Sequence, residues 1–389
     1  MVCAPTSPIA SPFFTRPVLT VLTVLTVLTA SDPDARSLTH SLTHSLLRHL
    51  APQIPQQSET DPFTLTAWIL NQQHKSNPEA RGNLTILLNS ICVGCKFLST
   101  SVRRAGVAGN DVLGKAGSEN VQGEDQKKLD VVANEVFKNV LRKSGQCAVL
   151  VTEEEEEAIF FEEPHKGEYC VVFDPLDGSS NIECGVSIGT IFGVYRVRPG
   201  SQGRLEDVTR PGVDMVAAGY CMYGSMTYMM ITTGDGVAGF TLDDFLGEFV
   251  LTHPNVQLPS YGSIYSINEG NAMHWDGATK AYVEEQKATG KCSLRYVGSM
   301  VADVHRTLLY GGVFMYPADK KNPSGKLRML YECYPMAMLV EQAGGLAIDG
   351  EGKRIMEKSP ASGIHDRSAI HLGSKENVER IKELLKLNR

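Results

Sequence analysis

In FDPLDGSSNIE, Phe173 to Glu183, two carboxylates stand three residues apart and small polar residues follow at once. Pro175 cannot donate to a ladder, so it is expected to end the preceding strand and leave Asp174 and Asp177 on a turn, facing one point. Gly178-Ser179-Ser180-Asn181 suits the opening of a helix. Such an N-terminus binds phosphate through its free N–H groups and its dipole. Acids beside a phosphate cradle would repel the ligand unless a divalent cation lay between them, so the two features together imply Mg²⁺. On chemistry alone an Asx-rich turn with a capped helix remains the alternative.

A second acidic stretch, VTEEEEEAIFFEEP from Val151 to Pro164, raises a related question. On a helix, Glu153 and Glu157 would repel by roughly a few tenths of a kcal/mol. Runs of this kind are most often solvated surface. Here, however, the run begins where the apolar stretch CAVLV (147–151) ends, and Asp174 lies where EYCVVF (168–173) ends. Both stretches read as strands, so both sets of acids are expected at strand ends.

The surrounding elements follow from periodicity and punctuation. Asp61 with Pro62 reads as the capped start of a helix and of the globular part. Apolar residues at helical spacing from Leu84 to Gly106 and from 126 to Gly145 predict two helices. VSIGTIFGVYRV (186–197) reads as a third strand, and helices are expected within 296–312 and 330–345. Strands and helices mixed throughout indicate a layered α/β or α+β architecture with mixed sheets. A boundary near His253–Pro259 divides the chain into 61–254 and 255–389. Residues 1–60 stand apart: VLTVLTVLTVLT repeats every three residues, which fits neither strand nor helix, and reads as low complexity. Residues 1–31 carry no acid and weakly resemble a targeting peptide.

The chain has 389 residues, 42% hydrophobic and 21% charged, with a net charge of −7. That composition is globular, and it carries no basic footprint for nucleic acid. No stretch was expected to reach the ~18 apolar residues of a membrane span. Nine cysteines without a regular framework favour reduced thiols and a cytoplasmic setting, with an organelle as the alternative. Cys92 and Cys95 form a single CxxC inside an apolar helix and read as a buried face rather than a redox or metal motif. GNDVLGKA (109–116) is one residue short of a phosphate-binding P-loop, because Ala116 stands where a Ser or Thr is needed.

Taken together, TEEEEEA, DPLDGSS and KLRMLYE closely resemble the fructose-1,6-bisphosphatases, of the Mg²⁺-dependent, lithium-sensitive sugar- and inositol-phosphate phosphatases. GEDQKKLDVVANEVF, YSINEGNA, RYVGSMVADVHRTLLYGG and GKLRMLYECYPMA extend the resemblance from about Asp61 to the C-terminus. It implies a layered αβαβα sandwich with two subdomains and a homotetramer. It implies that Glu153, Glu154, Asp174, Asp177 and Glu332, with the Leu176 carbonyl, hold two or three Mg²⁺ ions, for which Mn²⁺ can substitute. Asp130 and Glu154 would orient and deprotonate the attacking water. Gly178, Ser179, Ser180 and Arg328 would hold the 1-phosphate of fructose 1,6-bisphosphate. Asn268, Tyr296, Tyr316 and Lys326 would hold the 6-phosphate, with Arg295 reaching into a neighbouring subunit's site. Another sugar bisphosphate, such as sedoheptulose 1,7-bisphosphate, is the alternative substrate.

The resemblance also marks Thr85, Tyr169 and Arg196 as part of an allosteric AMP site. Glu168 stands where the animal enzymes carry a Lys, which opposes phosphate binding there. Arg198–Val213 lacks the cysteine-bearing insertion of the chloroplast form, so the chain is similar to the cytosolic, gluconeogenic type. Glu153 and Glu154 are thus expected to face metal, and Glu155, Glu156 and Glu157 to be solvated.

Overall fold

The computed structural model describes residues 62–76, 80–107, 113–119, 125–361 and 363–387. The 1–60 extension and the Asp61 cap lie outside them. Helix α1 (Leu65–Ser76) starts at Thr64, whose hydroxyl accepts the Ala67 N–H at 3.3 Å. Helices α2 (Asn83–Arg104) and α3 (Lys128–Ser144) follow, the latter closed by Gly145 in the left-handed conformation. Against the sequence expectation, α2 is long and apolar enough to cross a membrane. It is a core helix, with Leu87, Leu88, Ile91, Cys92, Cys95 and Leu98 all buried.

The next eight strands are β1 (Cys147–Thr152), β2 (Ile159–Phe160), β3 (Tyr169–Asp177), β4 (Ile188–Arg196), β5 (Met215–Tyr223), β6 (Thr227–Thr232), β7 (Ala238–Asp243) and β8 (Glu248–His253). They form one sheet in the order β8-β7-β6-β5-β4-β3-β1-β2. Only β1 and β3 pair in parallel. β3 is buried at all nine positions, as a strand covered on both faces must be. Its side chains alternate: Val171 and Phe173 pack with α2 and α3, whereas Cys170 and Val172 join the core on the opposite face.

A smaller sheet uses β9 (Ile264–Ser266), β10 (Ser293–Leu294), β11 (Val313–Tyr316), β12 (Leu346–Ile348) and β13 (Ile370–Gly373), in the order β10-β9-β11-β13-β12. Helices α5 (Met300–Tyr310) and α6 (Tyr334–Gln342) lie between the sheets, with Val304, Leu308, Met336 and Leu339 in a core that also holds Tyr220 and Phe314. Helices α4 (Gly277–Thr289) and α7 (Lys375–Leu387) cover the far face through Tyr282, Val283, Val378 and Ile381. The layers therefore run helix, sheet, helix, sheet, helix. The expected αβαβα sandwich is the observed fold.

One local expectation fails. Pro175 does not end its strand: β3 continues to Asp177, and the register against β4 slips between Asp174 and Asp177. Asp174 faces Ile191 and Asp177 faces Gly189, so one extra residue bulges out. The bulge absorbs the missing donor of Pro175, and the Thr190 hydroxyl donates to the Pro175 carbonyl at 2.9 Å. Sheet pairing supplied what the turn was expected to supply.

Candidate active site

The parallel pairing of β1 with β3 puts the carboxyl ends of both strands side by side, with Thr152 opposite Phe173. Glu153 and Glu154 therefore meet Asp174 although twenty residues separate them in sequence. A cleft of about 610 Å³ opens there. Glu332 reaches it from a π-helical turn, Met329–Cys333, and Asp130 from the first turn of α3.

Asp174, Asp177 and Glu332 present carboxylate oxygens that all lie within 4.8 Å of one another. These three, Glu153 and Asp130 are buried, with Arg328 the buried cation beside them. Arg328 ion-pairs with Glu153, and its backbone N–H donates to Glu332 Oε2 at 2.6 Å. Burial first, then Glu153, Asp177 and Glu332, pushes the Asp174 carboxyl well above its usual range. Burial likewise lifts Asp177 to about 7, against the lowering by the Val301 N–H, which donates to it at 3.0 Å. Asp130 is lifted to about 6, mainly by burial. Its Oδ2 accepts the Lys127 N–H at 2.8 Å, while Oδ1 is buried without a hydrogen-bond partner. Buried carboxylates at Asp174, Asp177 and Glu332 that repel one another fit a hard divalent cation.

The Gly178–Ser180 segment, the expected phosphate cradle, lies beside these acids. Gly178 adopts φ +77°, and a side chain there would meet Ser299 at 3.2 Å, so only glycine serves. Ser179 and Ser180 follow in a short 3₁₀ turn, Ser179–Cys184, rather than a longer helix. Gly178, Ser179, Ser180 and Leu176 all line the cleft. Tyr296, Tyr316, Lys326 and Arg328 line it as well. Burial raises the Tyr296 hydroxyl to about 12, so it stays a neutral donor.

Asn268 and Arg295 are not among the residues lining the cleft. Asn268 caps a 3₁₀ turn by accepting the Gly270 N–H at 3.0 Å, and Arg295 is exposed, donating to the Leu294 carbonyl. Thr85, Tyr169 and Arg196 lie outside it too. Glu168 pairs with Arg196 at 2.7 Å and accepts from Asn83 at 2.8 Å, while the Thr85 hydroxyl donates to Gln73 at 3.1 Å.

Sequence reasoning missed Asp303 and misjudged Glu155. Asp303 is fully buried and accepts the N–H groups of Val297 and Gly298, each at 3.0 Å, which shapes the loop carrying Tyr296. Only its position inside RYVGSMVADVHRTLLYGG hinted at that. Glu155 is half-buried and held by Asn134 and Lys138, so the solvated part of the run begins at Glu156.

Comparison with known proteins agrees with this geometry. A family model described as "Fructose-1-6-bisphosphatase, N-terminal domain" matches residues 63–254, and "Fructose-1-6-bisphosphatase, C-terminal domain" matches 258–386. The chain belongs to the fructose-1,6-bisphosphatase family. It is 57% identical over 329 residues to the cytosolic fructose-1,6-bisphosphatase of Spinacia oleracea, covering 84% of this chain and 95% of that one. To the cytosolic enzyme of Arabidopsis thaliana it is 58% identical over the same length and shares. Among solved structures, fructose-1,6-bisphosphatase of Leishmania major in holo form superposes with a TM-score of 0.78 at 44% identity, covering 84% of this chain and 99% of that one. Fructose-1,6-bisphosphatases are metal-dependent, and the acid cluster is suited to that chemistry.

Proposed function

We propose that this chain hydrolyses the 1-phosphate of fructose 1,6-bisphosphate to fructose 6-phosphate and inorganic phosphate. The observation that carries this reading is the cleft itself, which is lined by buried carboxylates, by Gly178–Ser180 and by Tyr296, Tyr316, Lys326 and Arg328. A sugar bisphosphate suits a cleft with both a hard-cation acid cluster and phenol and cationic groups. Glu153, Glu154, Asp174, Asp177, Glu332 and the Leu176 carbonyl would hold two or three Mg²⁺ ions, with Mn²⁺ as a substitute. Bound there, such ions would supply neutralisation of the charge on the transferring phosphoryl group.

The chain's own residues do the rest. Gly178, Ser179, Ser180 and Arg328 hold the 1-phosphate and align it for in-line attack. Asp130, raised to about 6, accepts the proton of the attacking water near neutral pH, and Glu154 orients that water. Tyr296, Tyr316 and Lys326 fix the 6-phosphate, joined by Asn268 and by Arg295 from a neighbouring subunit. Self-association to a homotetramer is supported by an exposed apolar stripe along α2, formed by Ile86, Val93 and Phe97. A cytosolic site of action is supported by the relatives named cytosolic. A division at 61–254 and 255–389 is supported by each sheet lying on one side of it.

Comparing kcat/KM for fructose 1,6-bisphosphate and sedoheptulose 1,7-bisphosphate tests the reading. A clear preference for the second would overturn the substrate and keep the chemistry.

A further inference from the structure

Besides β3 with Asp174 and Asp177 and α5 with Asp303, three separate elements bring carboxylates to the cleft: α3 with Asp130, the loop after β1 with Glu153 and Glu154, and the π-helical turn with Glu332. Like charges brought together in this way push their elements apart. Something must hold the elements in register behind the cleft, and a continuous set of bonds does so.

Glu155 is its centre. One carboxylate oxygen accepts from Asn134 Nδ2 at 3.0 Å and from Lys138 Nζ at 2.7 Å, both on α3. Asn134 lies one turn after Asp130, on the same helix face. The other amide atom of Asn134 accepts the Thr152 hydroxyl at 2.9 Å, at the end of β1. On its other side, the Glu155 backbone carbonyl lies 3.0 Å from His365 Nε2, and His365 Nδ1 lies 2.7 Å from the Tyr331 hydroxyl. Tyr331 is buried and adjoins Glu332.

The donor directions follow from the chemistry. A carbonyl only accepts, so Nε2 carries the proton, and a neutral ring then leaves Nδ1 to accept from Tyr331. The path from α3 through Glu155 and His365 to Tyr331 thus joins these three elements without touching the cleft surface.

We propose that Glu155 and His365 are positioning residues that hold α3, the loop after β1 and the π-helical turn at the spacing beside β3 that a shared metal requires. The inference rests on the metal-dependent phosphatase reading. It adds residues that contact neither metal nor substrate in that reading. Partners that orient metal ligands from behind typically cost about 10–100-fold in affinity when lost.

The test is Mn²⁺ binding to the full chain, followed by electron paramagnetic resonance, beside the Mg²⁺ dependence of turnover. His365→Ala is expected to weaken Mn²⁺ about tenfold or more and to raise the half-saturating Mg²⁺ to match, with KM for the sugar bisphosphate at saturating metal within about twofold. His365→Gln keeps a donor for the Glu155 carbonyl and is expected to recover most of that loss. Tyr331→Phe is expected to shift Mn²⁺ affinity in the same direction by about threefold or more. If His365→Ala does not fold, Tyr331→Phe and His365→Gln carry the decision. Unchanged Mn²⁺ affinity in Tyr331→Phe, or a loss in His365→Ala that Gln does not recover, overturns the proposal. Mn²⁺ binding needs no turnover, so a wild-type chain that binds the ion without hydrolysing sugar bisphosphate would sink the substrate reading alone.

Discussion

The Glu153 amide donates to the Phe173 carbonyl at 3.3 Å, and that bond sets the first acids of the glutamate run beside Asp174. It extends the parallel β1–β3 ladder by one step past Thr152. The chain then leaves the sheet, so Glu153 is buried, Glu154 lines the cleft and Glu156 is exposed. Glu153→Ala and Glu154→Ala are expected to lower kcat by about 10²-fold or more, whereas Glu156→Ala changes it little. Steady-state kinetics of the three variants decides this, and equal effects at 154 and 156 would undo the division.

Removing the metal should expose the repulsion that the fold tolerates at this edge. Asp130, Glu153, Asp174, Asp177 and Glu332 are buried together, with Arg328 as the buried cation among them. Chelation with EDTA is expected to lower Tm relative to saturating Mg²⁺, because a ligand held by the folded state alone stabilises it. Asp174→Asn removes one of the repelling charges. Its Tm in EDTA should exceed that of the wild type, by roughly 2–4 °C per kcal/mol relieved, while its gain on adding Mg²⁺ shrinks. Calorimetry of both proteins in both buffers checks the crossing, and a variant that melts lower in EDTA would count against the charge argument.

What could be read in advance was whatever depends on local chemistry. The helical spacing behind α2 and α3 and the strands CAVLV and EYCVVF were legible. What could not be read depends on pairing between distant strands. Pro175 looked like a strand end because a proline lacks a donor, yet the slipped register against β4 accommodates it. Glu155 looked solvated because nothing nearby in sequence reveals Asn134, Lys138 and His365 converging on it. Asp303 went unnoticed because its acceptors' work is done on N–H groups of a loop that has no periodicity.

Glu168 occupies the cationic position of the allosteric site that the family resemblance points to. It is ion-paired to Arg196 and bonded to Asn83, which leaves that arginine partly neutralised. Because Arg196 is largely exposed, the pair itself contributes little to stability. Glu168→Lys reverses the charge facing an incoming phosphate. The variant is expected to be inhibited at an AMP concentration about tenfold or more below that needed for the wild type, corresponding to about 1.4 kcal/mol. Inhibition curves for the two proteins, with unchanged Tm as a control, test this. Coincident curves would mean that AMP does not contact this position.

Two buried imidazoles should set the acid limit of stability. His305 accepts or donates a 2.8 Å bond with Tyr220 and packs against Tyr228, and burial lowers its pKa to about 4. His371 lies on β13 opposite Met315 and Ile348, fully buried, with no hydrogen-bond partner for either ring nitrogen; burial lowers it to about 4 as well. Both values fall below the 6.5 of an unfolded histidine, so between those limits only the unfolded chain takes up the proton. Their contribution is complete above pH 6.5 and is lost as pH falls toward 4, at about 1.4 kcal/mol per pH unit for each ring. His371→Leu removes one of the two, and it also removes a polar ring that burial leaves unsatisfied. Denaturant unfolding of the variant at pH 8 and pH 5.5 is therefore expected to show a gain at both, and a larger gain at pH 5.5. A pH-independent difference would place the titration elsewhere.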